Sequence, residues 1–274
     1  MAAAIAPDPV IVVTGAGGGI GSAICMAFAS AGFNVVATYR SSAMRAAQLV
    51  ASLSRTARVD ATTDRKPGEL PTGAPTLDHS AEHAEVTDSG SLGVLACRVA
   101  ARYGRCDALV NCAGTTRYVA HNDLQALDDA LIDAILSTNV RGAFAAVRAF
   151  APLLRASPQP GGAVVVNISS IAARTATGSN VMYCASKAAL ENMTLSLARA
   201  LAPAIRVLCV APGLLDTDFV QSMDLRWRSE QTARTPLGRL AHPREVAAAV
   251  LCAVRDLPFT TGATISVDGG RPLG

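Results

Sequence analysis

Short runs rich in valine, isoleucine and leucine alternate with longer alanine-rich segments along almost the whole chain. The runs occupy residues 10–14, 34–38, 107–111, 163–168, 206–210 and 264–267. Nearly continuous apolar character is typical of strands buried on both faces, and strands that alternate with helices are joined by right-handed crossovers into a parallel sheet. The alternation therefore predicts an α/β fold, a Rossmann-type doubly wound parallel sheet.

One domain, 1–274, is expected, because 274 residues of 50% hydrophobic composition can build a single large core and no linker divides them. Residues 54–83, which contain Pro67, Pro71 and Pro75, are predicted to be an irregular surface insertion. The third strand is then expected at 84–86, with 58–61 as the competing position.

A glycine-rich turn, Thr14-Gly15-Ala16-Gly17-Gly18-Gly19-Ile20-Gly21, lies between the first predicted strand and a helical segment at 22–31. Glycine lets the backbone turn tightly and approach a diphosphate, whose charge the N-terminus of the following helix stabilises. In this position the turn predicts a dinucleotide-binding site.

The second strand is predicted to end near Thr38-Tyr39-Arg40-Ser41-Ser42. A site that selects NAD usually places a carboxylate at this strand end to bind the ribose hydroxyls, whereas arginine and hydroxyl groups suit the 2′-phosphate of NADP. Because the acid is absent and Arg40 is present, the sequence favours NADP(H).

Tyr183 and Lys187 are four residues apart in a helical segment, so their side chains are expected on one helix face. A phenol, whose reference pKa is about 10, exchanges protons poorly near neutral pH, but an adjacent ammonium favours the phenolate. Ser170, thirteen positions before the tyrosine, could hydrogen-bond an oxygen that gains negative charge. These three residues predict acid–base chemistry on an alcohol or a carbonyl.

Two further stretches contain polar residues in apolar surroundings. Asn111-Cys112-Ala113-Gly114 ends the strand at 107–110, where small residues leave room for a ligand in the crevice of such a sheet. Asn139 lies within an apolar helical segment, where it could also cap or kink its own helix.

Taken together, these motifs resemble those of the short-chain dehydrogenase/reductase family. TGAGGGIG, NCAG, Asn139, Ser170, the Tyr183/Lys187 pair, Ala211-Pro212-Gly213 and Val267-Asp268-Gly269-Gly270 occur in the order and spacing of that family, from Val10 to Gly270. The runs at 236–239, 243–247 and 261–262 look most like 3-oxoacyl-acyl-carrier-protein reductases and related carbonyl reductases. The resemblance implies NADPH-dependent reduction of a carbonyl, with a 3-oxoacyl thioester as one substrate. A sugar, polyol, quinone or pterin substrate, or a non-catalytic dinucleotide sensor, stays open.

The resemblance also implies roles for individual residues. Tyr183 would be the acid/base, Lys187 would support it and hold the nicotinamide ribose, Ser170 would orient the substrate oxygen, and Asn139 would hold a water of a proton relay. The cofactor would be bound by Gly15, Gly19, Ile20 and Gly21 at the diphosphate, Arg40 and Ser41 at the 2′-phosphate, Glu85 and Val86 at the adenine, Asn111, Ala113 and Gly114 at the adenosine ribose and backbone, and Pro212, Gly213, Leu215 and Thr217 at the nicotinamide. Residues 214–235 would form a lid over the substrate. Gly18 stands where NADP-dependent relatives often have Arg or Lys, so the NADP preference depends mainly on Arg40.

Charge and cysteine content narrow the remaining function classes. The formal net charge of +3 is small and dispersed, so no nucleic-acid partner is expected. No apolar run reaches the eighteen or so residues of a membrane span, and the first nine residues have no basic leader. The seven cysteines form no C-x-x-C pair, and the H-x-x-E-H spacing at 79–83 has no obvious third metal ligand. The sequence predicts a cytoplasmic, metal-free enzyme that assembles as a homodimer or homotetramer.

Overall fold

Within the part of the chain that the structure describes, seven strands form a single parallel sheet. The structure, a computed structural model, describes residues 8–60 (side chains to Ser54), 77–216 and 224–273. The strands are β1 (Val10–Thr14), β2 (Asn34–Tyr39), β3 (Ser80–His83), β4 (Ala108–Asn111), β5 (Ala163–Ile168), β6 (Ile205–Pro212) and β7 (Thr264–Val267). Their order in the sheet is β3-β2-β1-β4-β5-β6-β7, and every neighbouring pair is parallel. The predicted doubly wound sheet is confirmed, and its strand order reverses between β1 and β4, where such folds bind ligands.

The helices cover both faces of this sheet. They are α1 (Gly19–Ser30), α2 (Ala43–Asp60), α3 (Ser89–Tyr103), α4 (Asp129–Leu136), α5 (Ala143–Arg155), α6 (Ala172–Thr175), α7 (Val181–Leu201), α8 (Leu225–Ala233) and α9 (Pro243–Arg255), with a π-helical turn at Ser137–Gly142 and a 3₁₀ turn at Arg271–Leu273. Alternate strand side chains enter two separate cores: Ile11 and Val13 pack with α1 and α9, and Val10 and Val12 with α3 and α5. Burial on both faces explains the continuous apolar runs.

The third strand is not where the sequence predicted it. β3 is Ser80–His83, residues 58–60 end α2, and 84–86 follow β3 without being a strand. Of the segment 54–83 that was predicted to be irregular, residues 54–60 belong to α2 and 80–83 form β3, so the prediction is wrong for these residues. Residues 61–76 lie outside the described residues. The apolar pattern failed here because β3 is a polar edge strand, Ser-Ala-Glu-His.

His79 extends the pairing of this edge strand with its side chain. Its Nδ1 accepts a hydrogen bond from the backbone N–H of Val35 at 3.1 Å, one residue before the ladder begins at Val36 and Ser80. The H-x-x-E-H spacing thus lies on extended backbone and not on a helix. Within the described ranges, no three His, Cys, Asp or Glu side chains are grouped so as to hold a metal ion.

The joined segment Asp129–Arg155 is the one described helix that is long and apolar enough to cross a membrane by length and composition. Core helices of water-soluble proteins meet the same criterion, so it is weak grounds for a membrane span. Here the segment contributes fully buried Phe150 and Leu154 to the core beside α3.

Candidate active site

A cavity of about 760 Å³ opens at the carboxyl ends of β1, β2 and β4. Its size is that of small-molecule and cofactor sites. The predicted cofactor residues in its wall are Gly15, Gly19, Ile20, Gly21, Arg40, Glu85, Val86, Ala113 and Gly114. Other wall residues, which the sequence did not single out, include Thr38, Tyr39, Thr115, Thr138, Asp216, His242 and Pro243.

Helix α1 begins in this wall without a side-chain cap, since its N-cap residue is Gly18. By contrast, side chains cap five other helices, α3, α4, α7, α8 and α9; the capping residues are Asp88, Asp128, Asn180, Asp224 and His242. The N–H groups of a first helical turn have no acceptor within the helix, so those of α1 remain for an anionic ligand. Gly15 allows the approach of the turn to β4: its φ is +68°, and an added Cβ would lie 2.8 Å from Cα of Ala113. The turn fits a dinucleotide diphosphate.

Arg40 stands in the cavity wall directly after β2, opposite Glu85. The Arg40 Nε atom is 3.9 Å from Glu85 Oε2, and the two side chains are 70% and 30% exposed. The other carboxylate oxygen, Oε1, accepts hydrogen bonds from the backbone N–H and the hydroxyl of Thr87 at 3.1 and 3.0 Å. Glu85 is therefore held in place while the guanidinium faces solvent. Ser41 is exposed beside Arg40 but is not part of the cavity wall.

Tyr183 and Lys187 lie on one face of α7, as their spacing predicted. The Lys187 Nζ atom is 5.7 Å from the centroid of the Tyr183 ring and donates a 2.8 Å hydrogen bond to the carbonyl of Ile168 at the end of β5. Only 6% of Lys187 is exposed. Asn180, the N-cap of α7, accepts a hydrogen bond from the N–H of Tyr183 at 2.7 Å. This cap fixes the start of α7, whose third residue is the tyrosine.

Asn139 lies in the π-helical turn and is almost completely buried. Its Oδ1 accepts from the N–H of Thr115 at 2.8 Å, and its Nδ2 donates to the carbonyl of Thr115 and to Ser186 Oγ, both at 3.1 Å. Ser186 in turn donates to the carbonyl of Tyr183 at 2.7 Å. Because both amide hydrogens are engaged, a relay water at Asn139 would have to bind an oxygen, either Oδ1 or the backbone carbonyl.

Gly114 joins the cavity to this group of residues. A Cβ on Gly114 would lie 3.4 Å from Asn139 Oδ1 and 3.8 Å from Lys187 Nζ. The ammonium and the amide therefore lie close behind the cavity wall at Gly114. Ser170 follows β5, is partly exposed, and its Oγ accepts from the N–H of Ala172 at 3.2 Å.

Several predicted cofactor residues lie outside the cavity wall. The Asn111 side chain is buried within the sheet and donates to Asn167 Oδ1 on the neighbouring strand at 2.8 Å. Pro212 ends β6, the N–H of Gly213 donates to the carbonyl of Val267 at 2.9 Å, and Leu215 packs into the core. Thr217 lies outside the described residues, as does part of the predicted lid at 214–235.

The cysteine near the cavity is not a reactive nucleophile. Cys112 contributes to the wall, and burial raises the pKa of its thiol to about 12. Burial also raises the pKa of Cys184, the neighbour of Tyr183. All seven cysteines are free. Both thiols therefore stay protonated and inert near neutral pH.

Positioning residues were the main omission of the sequence reasoning. Ser169 donates to the carbonyl of Lys187 at 3.2 Å, and Asn180 Nδ2 donates to the carbonyl of Arg117 at 2.7 Å. With Ser186, these residues attach α7 to β5 and to the loop after β4. Asn180 could have been predicted, because an asparagine directly before a helix is a common N-cap. No sequence pattern predicts the contacts of Ser169 and Ser186.

Comparisons with known proteins show which sequences and structures this chain is similar to. A family model described as Enoyl-(Acyl carrier protein) reductase matches residues 60–271, and one described as short chain dehydrogenase matches 9–66. Ketoacyl reductase 2 of the granaticin polyketide synthase of Streptomyces violaceoruber is 35% identical over 98% of both chains. A 3-oxoacyl-(acyl-carrier-protein) reductase of Thermotoga maritima is 32% identical over 95% of this chain and 96% of its own. A crystal structure of a short-chain dehydrogenase/reductase from Burkholderia xenovorans has a TM-score of 0.84 at 34% identity, covering 98% of this chain and 100% of its own.

Proposed function

The chain belongs to the short-chain dehydrogenase/reductase family, whose members use nicotinamide dinucleotides, and on that premise we propose that it is an NADPH-dependent reductase of a carbonyl group. The observation that carries the proposal is the meeting of Lys187 and Asn139 at Gly114, where the group that contains Tyr183 borders the cavity. A pure dinucleotide sensor has no need of proton-transfer groups at that point.

In this proposal the bound NADPH supplies a hydride to the carbonyl carbon, and the protein supplies the proton and the positions. Tyr183 transfers its phenolic proton to the carbonyl oxygen as that oxygen gains charge. Lys187, fixed by the Ile168 carbonyl, stabilises the phenolate that remains. Ser170, at the end of β5, hydrogen-bonds the same substrate oxygen.

The preference for NADPH over NADH is supported by Arg40. No acidic residue directly follows β2 in the sequence, and Arg40, which is 3.9 Å from Glu85, faces solvent in the wall of the cavity. A guanidinium there can bind the 2′-phosphate through two parallel N–H groups.

A 3-oxoacyl thioester is the proposed substrate class, supported by the names of the polyketide and acyl-carrier-protein reductases above. The name of another relative supports an alcohol as the alternative substrate class. This relative, a cis-4-hydroxycyclohexanecarboxylate dehydrogenase of Sinomonas cyclohexanicum, is 36% identical over 68% of this chain and 74% of its own. We propose that the enzyme acts in the cytoplasm as a homodimer or homotetramer. Phe144 on α5 and Val181 and Leu195 on α7 are large exposed apolar residues that such an interface would cover.

The test is NADPH oxidation with a panel of β-ketoacyl thioesters, quinones, simple ketones and pterins. Tyr183→Phe should abolish turnover of the best substrate while leaving NADPH affinity within a few-fold. Tyr103→Phe is the matched control, because the Tyr103 hydroxyl donates to the Asp78 carbonyl, away from the cavity. Unchanged turnover in Tyr183→Phe would refute the assigned role, and NADPH consumption with quinones or pterins alone would refute the thioester class.

A further inference from the structure

His242 is a cavity-wall residue with no assigned role. It is the N-cap of α9, and it lies in the wall of the cofactor cavity together with Gly18, Gly19 and Gly21 of the glycine turn. Gly19, His242 and Pro243 also line a groove of about 430 Å³ between α1 and α9 that adjoins the cavity. His242 and the N-terminus of α1 therefore border the same cavity.

Backbone hydrogen bonds fix Ala241, the residue before His242. The N–H of Asp216 donates to the carbonyl of Ala241 at 2.8 Å, and the N–H of Ala241 donates to the carbonyl of Leu214 at 3.2 Å. This short parallel bridge ties the start of α9 to the segment that follows β6. The residue before His242 is thus attached to that segment, and His242 itself lines the cavity that the glycine turn also lines.

The capping contacts of α9 decide which ring nitrogen carries a proton. The Nδ1 atom of His242 accepts a hydrogen bond from the N–H of Arg244 at 3.1 Å, so the hydrogen of a neutral ring must be on Nε2. The N–H of His242 donates to Glu245 Oε2 at 2.8 Å. A hydrogen bond from Arg239 lowers the pKa of Glu245 to about 2, so this box stays intact over the working pH range. The cap leaves one polar ring atom, Nε2–H, for a ligand.

We propose that His242 is a further cofactor-binding residue, whose Nε2–H donates to the diphosphate of the nicotinamide dinucleotide bound at the N-terminus of α1. This inference rests on the proposed function, since it needs a dinucleotide in the cavity. In the wall of the cavity, the uncapped N–H groups of α1 and the imidazole of α9 then contact one anion from two sides. His242 thereby both starts its own helix and binds the ligand.

The test separates the two roles of His242 by a substitution that keeps only the cap. Serine is a strong N-cap, but its hydroxyl is too short to replace Nε2. For His242→Ser, the Kd of ADP-ribose, measured by titration calorimetry, should rise by about tenfold, since a hydrogen bond to a charged group is lost. The Kd of adenosine 2′-monophosphate, which has no diphosphate, should change less than about twofold. The thermal unfolding midpoint of the ligand-free variant should equal that of the wild type.

The matched control is His121→Ser, because His121 is exposed and contacts the Gly178 carbonyl outside the cavity wall. It should leave both ligands unaffected. An unchanged Kd for ADP-ribose in His242→Ser, or equal weakening of both ligands, would overturn the inference. If the wild type binds ADP-ribose but does not prefer NADPH over NADH, the proposed NADPH preference is refuted. The effect of His242→Ser on the Kd of ADP-ribose then still tests the role of His242. If the wild type does not bind ADP-ribose, both proposals are refuted.

Discussion

Replacing Arg40 with alanine tests the choice of cofactor without disturbing the fold. The Arg40 side chain is 70% exposed, and its ion pair with Glu85 spans 3.9 Å. Exposed pairs of this kind contribute about 0–1 kcal/mol to stability, so the free energy of unfolding of Arg40→Ala should stay close to that of the wild type. Any large change in the Kd of a ligand must then come from a lost contact between Arg40 and that ligand.

The size of the effect follows from the contact that Arg40 would make. Hydrogen bonds from a guanidinium to a phosphate contribute about 1.5–3 kcal/mol, which corresponds to roughly a 10- to 100-fold weaker Kd for NADPH. NADH has no 2′-phosphate, so its Kd should change less than about threefold. Without Arg40, the fixed carboxylate of Glu85 stands unopposed near the phosphate. Adding Glu85→Gln to Arg40→Ala should therefore recover part of the lost NADPH affinity.

Nicotinamide fluorescence titrations of both cofactors measure these constants directly. Arg45→Ala is the matched control, since Arg45 is exposed on α2 and is not in the cavity wall. Raising the salt concentration should narrow the difference between wild type and Arg40→Ala, because the contact is solvent-exposed. Equal losses for NADPH and NADH in Arg40→Ala would refute the reasoning, and the preference for the phosphate-bearing cofactor would then have no support.

Three further predictions concern the buried side chains of Asn139, Arg206 and His79. Asn139→Ala should lower stability by about 2–4 kcal/mol and weaken dinucleotide binding, because the buried polar groups of Thr115 lose their partner; urea unfolding and cofactor titration measure both. Arg206→Met should lower stability by about 2–4 kcal/mol with unchanged Kd for NADPH, because the Arg206 guanidinium donates to four carbonyls, those of Ala253, Val254, Leu257 and Thr260. Burial lowers the pKa of His79. Below about pH 6.5 the unfolded chain therefore binds a proton that the folded chain does not bind. The free energy of unfolding should decrease as the pH is lowered, by at most about 1.4 kcal/mol per pH unit. His79→Gln should remove that part of the pH dependence in urea titrations, and an unchanged slope would contradict it.

The sequence predicts this fold well where physical constraints are local and repeated. Strands buried on both faces must be apolar throughout, so β1, β5 and β7 have the bounds that their composition predicted. β3 failed because an edge strand needs no apolar run, and its first contact is made by the side chain of His79. The i, i+4 relation of Tyr183 and Lys187 is likewise a property of one helix and could be read directly.

Contacts between distant segments are what the sequence could not supply. His242 lines the same cavity as the glycine turn because α9 packs beside α1 and because Ala241 bridges to the segment after β6. Asn139 was visible as a polar residue in an apolar helix, but the π-helical turn that orients it toward Thr115 was not. Such turns depend on tertiary partners, since an isolated sequence prefers the regular helix.

A residue that caps α1 should stabilise the protein slightly and weaken anion binding at the N-terminus of that helix. Gly18 has a φ of −82°, and an added Cβ would meet no atom closer than the Gly15 carbonyl at 3.5 Å, so other residues fit there. Gly18→Asn and Gly18→Asp should both cap α1 and change stability only slightly, by a few tenths of a kcal/mol in its favour. Both compete for the N–H groups that the diphosphate would use, but only the aspartate adds a negative charge beside it, so the Kd of ADP-ribose should rise far more for Gly18→Asp. Calorimetric titration of the two variants decides the matter. If both bind ADP-ribose as the wild type does, the N-terminus of α1 is not the anion site, and its lack of a cap has another cause.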